Sequence, residues 1–315
     1  MTDDLEIRRA TASDREAVLA LASRSLGWAG DERDRAFFTW KHEENPFGIS
    51  PAWVATIGGE VVGFRTLLRW ELTDGTRTLR VVRAVDTATD PAFQGRGIFR
   101  ALTLGAVEAL TAEGVDAVFN TPNDQSLPGY LSMGWSVVGR PTLSVIPRSI
   151  RSLARLARTR AAAGKWGEPV DVGAPAGASL QEADLDSLLR GLPHRSGWAT
   201  RRLAAHLRWR YAFPPLGYRA VEVKGGLCVF RVRNRGSSRE VAICEWLSAE
   251  RDPRAVRRLV RAGGDYGVGI GLHLPGHGAL PLPRQGPVVT WRPLADPAVP
   301  RLRDLRLGLG DLELL

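Results

Sequence analysis

Short apolar runs broken by glycine-bearing turns organise the first half of the chain. Leu5–Arg9 reads as a first strand, and Ser13-x-x-Glu16 reads as a capping box that opens a helix through Ser25. Ala52–Ile57 and Val61–Arg69, joined by Gly58-Gly59, pattern as a hairpin, and a second hairpin-like pair turns at Asp74-Gly75. The segment from Val85 to Phe99 then reads as a strand running into a glycine turn that opens a helix, and Val115–Asn120 is the next apolar run.

That turn, Gln94-Gly95-Arg96-Gly97-Ile98-Phe99, is where chemistry enters. Glycines let the backbone approach a ligand closely, and the first N–H groups of the following helix lack carbonyl partners. Such a site suits an anion, above all a pyrophosphate. Ile98-Phe99 stands where a Walker motif needs Lys-Ser/Thr, and no Gly-x-Gly-x-x-Gly fingerprint is present, so nucleoside triphosphates and NAD are disfavoured.

The segment resembles motif A of the GNAT superfamily of acyl-CoA-dependent N-acyltransferases, Gln/Arg-x-x-Gly-x-Gly/Ala, with Phe99 departing from the small residue at its last position. The downstream order also fits: an apolar strand to Asn120, a loop and short helix carrying Asn123 and Tyr130, then Gly134-Trp135 at the start of a further strand. The resemblance implies that Tyr130 protonates the departing thiolate and that Asn123 steadies the pantetheine arm. It also implies that the turn residues Gln94, Gly95, Arg96, Gly97, Ile98 and Phe99 hold the pyrophosphate, while the strand edge at Thr87, Ala88 and Thr89 pairs with pantetheine amides. A phenol suits the acid's role independently, because with an ordinary pKa near 10 it keeps its proton at neutral pH.

Beyond a Gly-, Ala- and Pro-rich stretch at 172–177 the chain repeats itself. Trp209-Arg210-Tyr211, Pro215 and Gly217 stand 169 positions after Trp40-Lys41-His42, Pro46 and Gly48, and Val229-Phe230-Arg231 stands 166 after Gly63-Phe64-Arg65. The second copy lacks the glycine turn: Glu245 to Pro253 leads straight into Arg254 and a helix, so it is expected not to bind CoA. The expected fold is α/β (α+β), two GNAT-like domains, each a mixed, mostly antiparallel sheet flanked by helices. The expected division is a catalytic domain at 1–147, a basic helix and linker at 148–176, and a degenerate domain at 177–315 that walls the acceptor side.

The chain has 315 residues and a net charge of +9, carried almost wholly by arginine. Arginine of this abundance accompanies an alanine-rich composition, so the charge is not read as a nucleic-acid signature. Arg148, Arg151, Arg155, Arg158, Arg160 and Lys165 cluster at helical spacing and read as a solvated helix, with an acidic membrane or tRNA as the other possibility. Cys228 and Cys244 lie in apolar runs and suit neither a disulfide framework nor a zinc set, so no metal is expected. No apolar stretch reaches 18 residues and the N-terminus has no signal-peptide pattern, so a cytoplasmic location is expected.

The resulting expectation is an enzyme, an N-acyltransferase moving acetyl or a short acyl group from acyl-CoA to a primary amine of a small metabolite such as an amino sugar. Asp86, near the end of the strand entering the site, is the first candidate for general base, ahead of Glu44 and His42. Trp40, Glu44 and Arg65 are the candidate acceptor-binding residues. Two alternatives are an aminoacyl-tRNA-dependent transferase built on tandem GNAT-like domains and a non-catalytic CoA-binding protein. The oligomeric state is not legible.

Overall fold

A computed structural model describes residues 5–158, 161–193, 196–270, 279–295 and 298–313. They form two compact units that are not successive along the chain: one holds residues 1–139 and 288–301, the other 140–287 and 302–315.

The first unit contains β1 (Glu6–Arg9), α1 (Arg15–Leu26), α2 (Glu32–His42), β2 (Ala52–Ile57), β3 (Glu60–Thr73), β4 (Thr78–Thr89), α3 (Ile98–Ala112), β5 (Ala117–Asn120), α4 (Leu127–Ser132) and β6 (Ser136–Gly139). The second contains β7 (Leu143–Pro147), α5 (Ile150–Arg158), β8 (Ala174–Pro175), α6 (Ala176–Glu182), α7 (Leu185–Gly191), β9 (Ala199–Thr200), α8 (Ala204–Ala212), β10 (Arg219–Val223), β11 (Gly226–Arg235), β12 (Ser238–Leu247), α9 (Pro253–Gly263), β13 (Tyr266–Ile270) and β14 (Leu280–Leu282). The chain then returns to the first unit as β15 (Val289–Pro293) and ends in the second with α10 (Leu309–Leu312).

The two sheets share one topology. The first runs β1-β2-β3-β4-β5-β15-β6 and the second, read from its far end, β8-β10-β11-β12-β13-β7-β14. In each, the fourth and fifth strands are parallel, and the pairs among the first four are antiparallel. The second unit is therefore the repeat that the 169-residue offset implies, with α8 in the place of α2 and α9 in the place of α3.

The linear domain boundaries need correction. The place of β15 in the first sheet is taken in the second by β7, a strand lying earlier in sequence than the rest of that sheet. The 148–176 stretch is likewise no free linker. Gly164 and Glu168 donate to the carbonyls of Asn234 and Val232 (2.7 and 2.8 Å), and β8 pairs with β10. Its glycines mark close approach instead: a Cβ at Gly167 would meet Leu216 O at 2.5 Å, and one at Gly173 would meet Ala220 O at 2.3 Å. Arg160 lies outside the described residues.

Local signals hold closely elsewhere. Gly58 and Gly59, at φ of 56° and 85°, turn the β2–β3 hairpin as the right-handed strand twist prefers. The helix opening after β1 is set by Thr11 and Asp14 rather than Ser13 and Glu16, because the Asp14 carboxylate accepts from the Thr11 N–H and hydroxyl and also pairs with Arg8. The first core packs α3 (Ile98, Leu102, Ala106, Leu110) on β2–β5. Gly63 is required there, since a Cβ at that position would lie 2.7 Å from Ile98.

The second core contains an acid-sensitive group. His206 on α8 is buried, and that burial, together with Arg210 and Arg202, pushes its imidazole down to about 3. An unfolded histidine titrates near 6.5, so its contribution is complete above that pH and is lost progressively as pH falls towards 3, by about 1.4 kcal/mol per pH unit. Urea unfolding followed from pH 7.5 to 5 is expected to show about 2 kcal/mol of loss from this group. A His206→Gln protein is expected to show a flatter curve, and an equal slope in both would assign the acid sensitivity elsewhere. Both cysteines are buried free thiols, and burial pushes Cys244 up to about 11.

Candidate active site

β4 determines the site because its two edges behave differently. On one edge it stays paired with β3 from Thr73↔Thr78 to Gly63↔Thr89. On the other, pairing with β5 runs only from Val81↔Ala117 to Arg83↔Phe119, so β4 continues from Ala84 to Thr89 without that neighbour. The β3–β4 register also steps from Leu67↔Ala84 to Arg65↔Thr87, placing one extra residue on β4 around Asp86, a bulge of the kind that bends a strand and releases backbone groups. Thr87, Ala88 and Thr89 thus lie on β4 beyond its pairing with β5.

The strand leads through a short turn at Pro91–Phe93, capped by Asp90, to Gln94, Gly95, Arg96 and Gly97. Gly95 and Gly97 both have φ of 77°, a conformation that side chains with a Cβ rarely adopt. Gly97 is the N-cap of α3, has no side chain with which to cap it, and has no atom within 4 Å of a Cβ built on it. The first N–H groups of a 15-residue helix therefore open onto free space. α9 shows the contrast. Asp252 caps it, accepting from Ala255 N–H at 2.9 Å, so the chain's own carboxylate occupies the place an anion would take.

Ile98 and Phe99 point their side chains inward, so only their backbone can face the turn. Ile98 is core. The Phe99 ring packs over Gly129, where a Cβ would approach to 3.1 Å, and meets Tyr130 edge-on at 5.5 Å. The aromatic residue at the departing motif position is thus accommodated by a glycine on α4, away from the turn.

Tyr130 is buried between Phe99 and Trp135, whose ring lies 5.1 Å away. Its hydroxyl oxygen accepts a 2.7 Å hydrogen bond from Arg65 Nη2, which leaves the phenolic proton available for donation. Asn123 begins the α4 turn: its Oδ1 accepts from the Ser126 N–H and hydroxyl, both at 2.9 Å. Its side-chain oxygen is thereby committed to the turn.

Two expectations about the acceptor side change, those for Arg65 and Trp40, and the third residue lies where it was placed. Arg65 is fully buried on Thr103 and Tyr130, too deep to meet an acceptor directly. Trp40 is packed against Phe37 at 5.6 Å within the core. Glu44 is exposed on the loop after α2.

Asp86 is partnered by two side chains at the end of α2. Its Oδ2 receives Lys41 Nζ and His42 Nε2, each at 2.8 Å, and His42 Nδ1 lies 3.0 Å from Ser50 Oγ. Burial alone would raise the Asp86 carboxyl; the Lys41 ammonium and the His42 hydrogen bond outweigh it and hold it well below the usual carboxylate range. Burial pushes the His42 imidazole down, which fits a neutral ring donating from Nε2 to the carboxylate and accepting at Nδ1 from Ser50. A carboxylate held so low is a weak base. The repeat has a related contact: Tyr211, 169 positions after His42, donates to Glu245 at 3.1 Å beside the β12 bulge, but the cation there is Arg202 and not the counterpart of Lys41, and burial pushes the Glu245 carboxyl up. Because this contact persists where the glycine turn is missing, it is a device of the bulged strand and not of the turn.

The supports missed by sequence reasoning are Thr103, Lys41, Ser50 and Arg292. Thr103 lies one helical turn after Phe99 on the same face, a signal that spacing carried. Arg292, whose guanidinium lies 5.0 Å from the Trp135 ring, comes from the returning β15 and had no local signal. Among the described residues no group of three His, Cys, Asp or Glu could hold a metal ion, and no helix is long and apolar enough to cross a membrane.

Sheet order, splayed β4 edge and glycine-headed α3 define the class, an α/β protein of acetyltransferase fold. Residues 6–138 match the family model of the acetyltransferase (GNAT) domain. No match is found among curated protein sequences. Similar solved structures include a GCN5-related N-acetyltransferase from Kribbella flavida (16% identity, TM-score 0.60, covering 92% of this chain and 71% of that one). A conserved protein of unknown function from Enterococcus faecalis (12%, 0.65, 92% and 73%) and Eis1 from Mycobacterium abscessus (16%, 0.59, 92% and 73%) are also similar. At these identities the likeness is one of fold.

Proposed function

We propose that the protein is an N-acyltransferase that moves an acetyl or short acyl group from acyl-CoA to a primary amine of a small metabolite. One observation carries the reading: the uncapped, glycine-headed α3 follows directly from a β4 edge that parts from β5, and the other copy closes its corresponding helix with Asp252. Gln94, Gly95, Arg96 and Gly97, with the backbone N–H groups of Ile98 and Phe99, would hold the pyrophosphate, and Thr87 to Thr89 with the Asn123 amide would align the pantetheine arm. Acyl-CoA supplies the thioester carbonyl.

In this reading Tyr130 gives its proton to the departing sulfur. Asp86, tied to Lys41 and His42, holds the bulge of β4 in place, and the general-base role moves away from it. The acceptor's own acidity then matters. At pH 7 a lysine-like amine of pKa about 10.4 costs about 4.6 kcal/mol to deprotonate, an α-amino group near 7.7–8 only about 1–1.4. A weakly basic primary amine, which needs little help, is the acceptor class that suits a site whose first-choice base is neutralised by a lysine.

Calorimetric titration of the full chain with acetyl-CoA is expected to give one site, from the first unit. Thiol release in the presence of a panel of amino sugars and other small amines is expected to favour those of low pKa. Two sites per chain, or no binding, would overturn the assignment.

A further inference from the structure

Arg65 lies on β3 opposite Thr87 of β4, and its side chain is wholly buried. Nη1 donates to Thr103 Oγ1 at 3.0 Å and Nη2 to the Tyr130 hydroxyl at 2.7 Å, while the guanidinium carbon stands 5.4 and 5.3 Å from the Phe99 and Tyr130 ring centres. Nε has no hydrogen-bond partner, and among the described residues no carboxylate pairs with this side chain. A buried cation with no counter-ion is costly, and hydroxyls and ring faces compensate only part of that cost.

The repeat supplies the comparison. Arg231 stands 166 positions later in the matching Phe-Arg pair and is also buried. Its guanidinium is paired with Glu313 and donates to Lys165 O at 2.9 Å. The copy whose helix is closed by Asp252 pairs its buried arginine with a carboxylate of the chain, whereas the copy with the open glycine turn gives its arginine only hydroxyls and ring faces.

We propose that Arg65 is the positioning residue for Tyr130, turning the phenolic proton away from the guanidinium for delivery to sulfur and stabilising the negative charge that develops when acyl transfer releases the thiolate. The inference rests on the acyl-transfer reading. The amine lone pair forms the C–N bond to the acyl carbon; as the C–S bond breaks, its electron pair goes to sulfur, the Tyr130 proton moves to sulfur to give the thiol, and the phenol oxygen keeps its pair as a phenolate held by Nη2 of Arg65. The proton lost by the attacking amine passes to water, and the phenolate regains one from water. Arg65 touches neither reactant in this scheme and acts through Tyr130 and through its field.

The test uses the full chain with CoA itself. The fraction of bound CoA in thiolate form at pH 8 is read from the ultraviolet thiolate band, with affinity for CoA measured in parallel by calorimetry. Wild type is expected to show at least a threefold higher thiolate fraction than Arg65→Met, with affinities within threefold and both proteins folded by melting curve. Should Arg65→Met not fold, Arg65→Gln, which retains a neutral donor, takes its place under the same criteria. Equal thiolate fractions in wild type and variant would overturn the role of Arg65 while leaving the acyl-CoA reading intact; absence of CoA binding by wild type would overturn both.

Discussion

Replacing Tyr130 by phenylalanine is expected to lower acetyl transfer by roughly 10²–10³-fold while changing acetyl-CoA affinity by less than threefold, the range typical of removing a general acid. The substitution keeps the ring between Phe99 and Trp135 and removes only the hydroxyl that accepts from Arg65. A buried guanidinium then loses one of its two hydrogen bonds, at a stability cost of about 1.5–3 kcal/mol, so a lower melting temperature should accompany the kinetic loss. The two effects separate by measurement: thiol release gives turnover, calorimetry gives affinity, and a melting curve shows that the assay temperature lies below unfolding. Parallel losses of turnover and affinity would make Tyr130 a binding residue, because an interaction made only in the transition state lowers kcat without weakening the ground-state complex.

Gly97→Val is expected to weaken acetyl-CoA binding by roughly 10²–10³-fold in a protein that remains folded. The argument combines conformation and space. Gly97 has φ of 77°, where a β-branched residue is strained by about 1–2 kcal/mol or more, so the head of α3 must shift to relieve it. A Cβ there meets nothing within 4 Å, so the fold itself raises no clash and the damage falls on the open space above the helix N–H groups. Losing one or two charge-assisted hydrogen bonds at about 1.5–3 kcal/mol each accounts for the expected loss. Gly58→Val, in the β2–β3 turn at φ of 56° with equally open surroundings, supplies the control, being strained alike but remote from the turn. Unchanged affinity in folded Gly97→Val would falsify the pyrophosphate assignment.

Much of this was legible before any coordinates. The glycine turn, the first hairpin, the repeat and the missing turn in its second copy are local patterns, and short-range sterics and hydrogen bonding decide them. Gly95 and Gly97 take the left-handed conformation because a turn that exposes a helix start has few other solutions. The Trp-containing helices and the hairpins after them recur because each copy must build the same first four strands.

Other features could not be read from neighbours in sequence. Asp86 is two residues from Ala84 and three from Arg83, yet its partners are Lys41 and His42, because the bulge places its carboxylate against α2. Arg65 looked like an acceptor ligand until its strand register placed it opposite Thr87 with Tyr130 and Thr103 as partners. The strand filling the place between β5 and β6 comes from residues 289–293, after the whole second sheet has been built, and the strand that local order would have placed there pairs with β13 instead. Alternation of Val289 and Trp291 with Thr290 and Arg292 specifies that it is a strand with one face to bury. Which sheet buries it depends on long-range pairing that no local pattern encodes, so the sequence by itself determined the elements, the turn and the repeat. Tertiary structure decided which strand completes which sheet and which charges face one another.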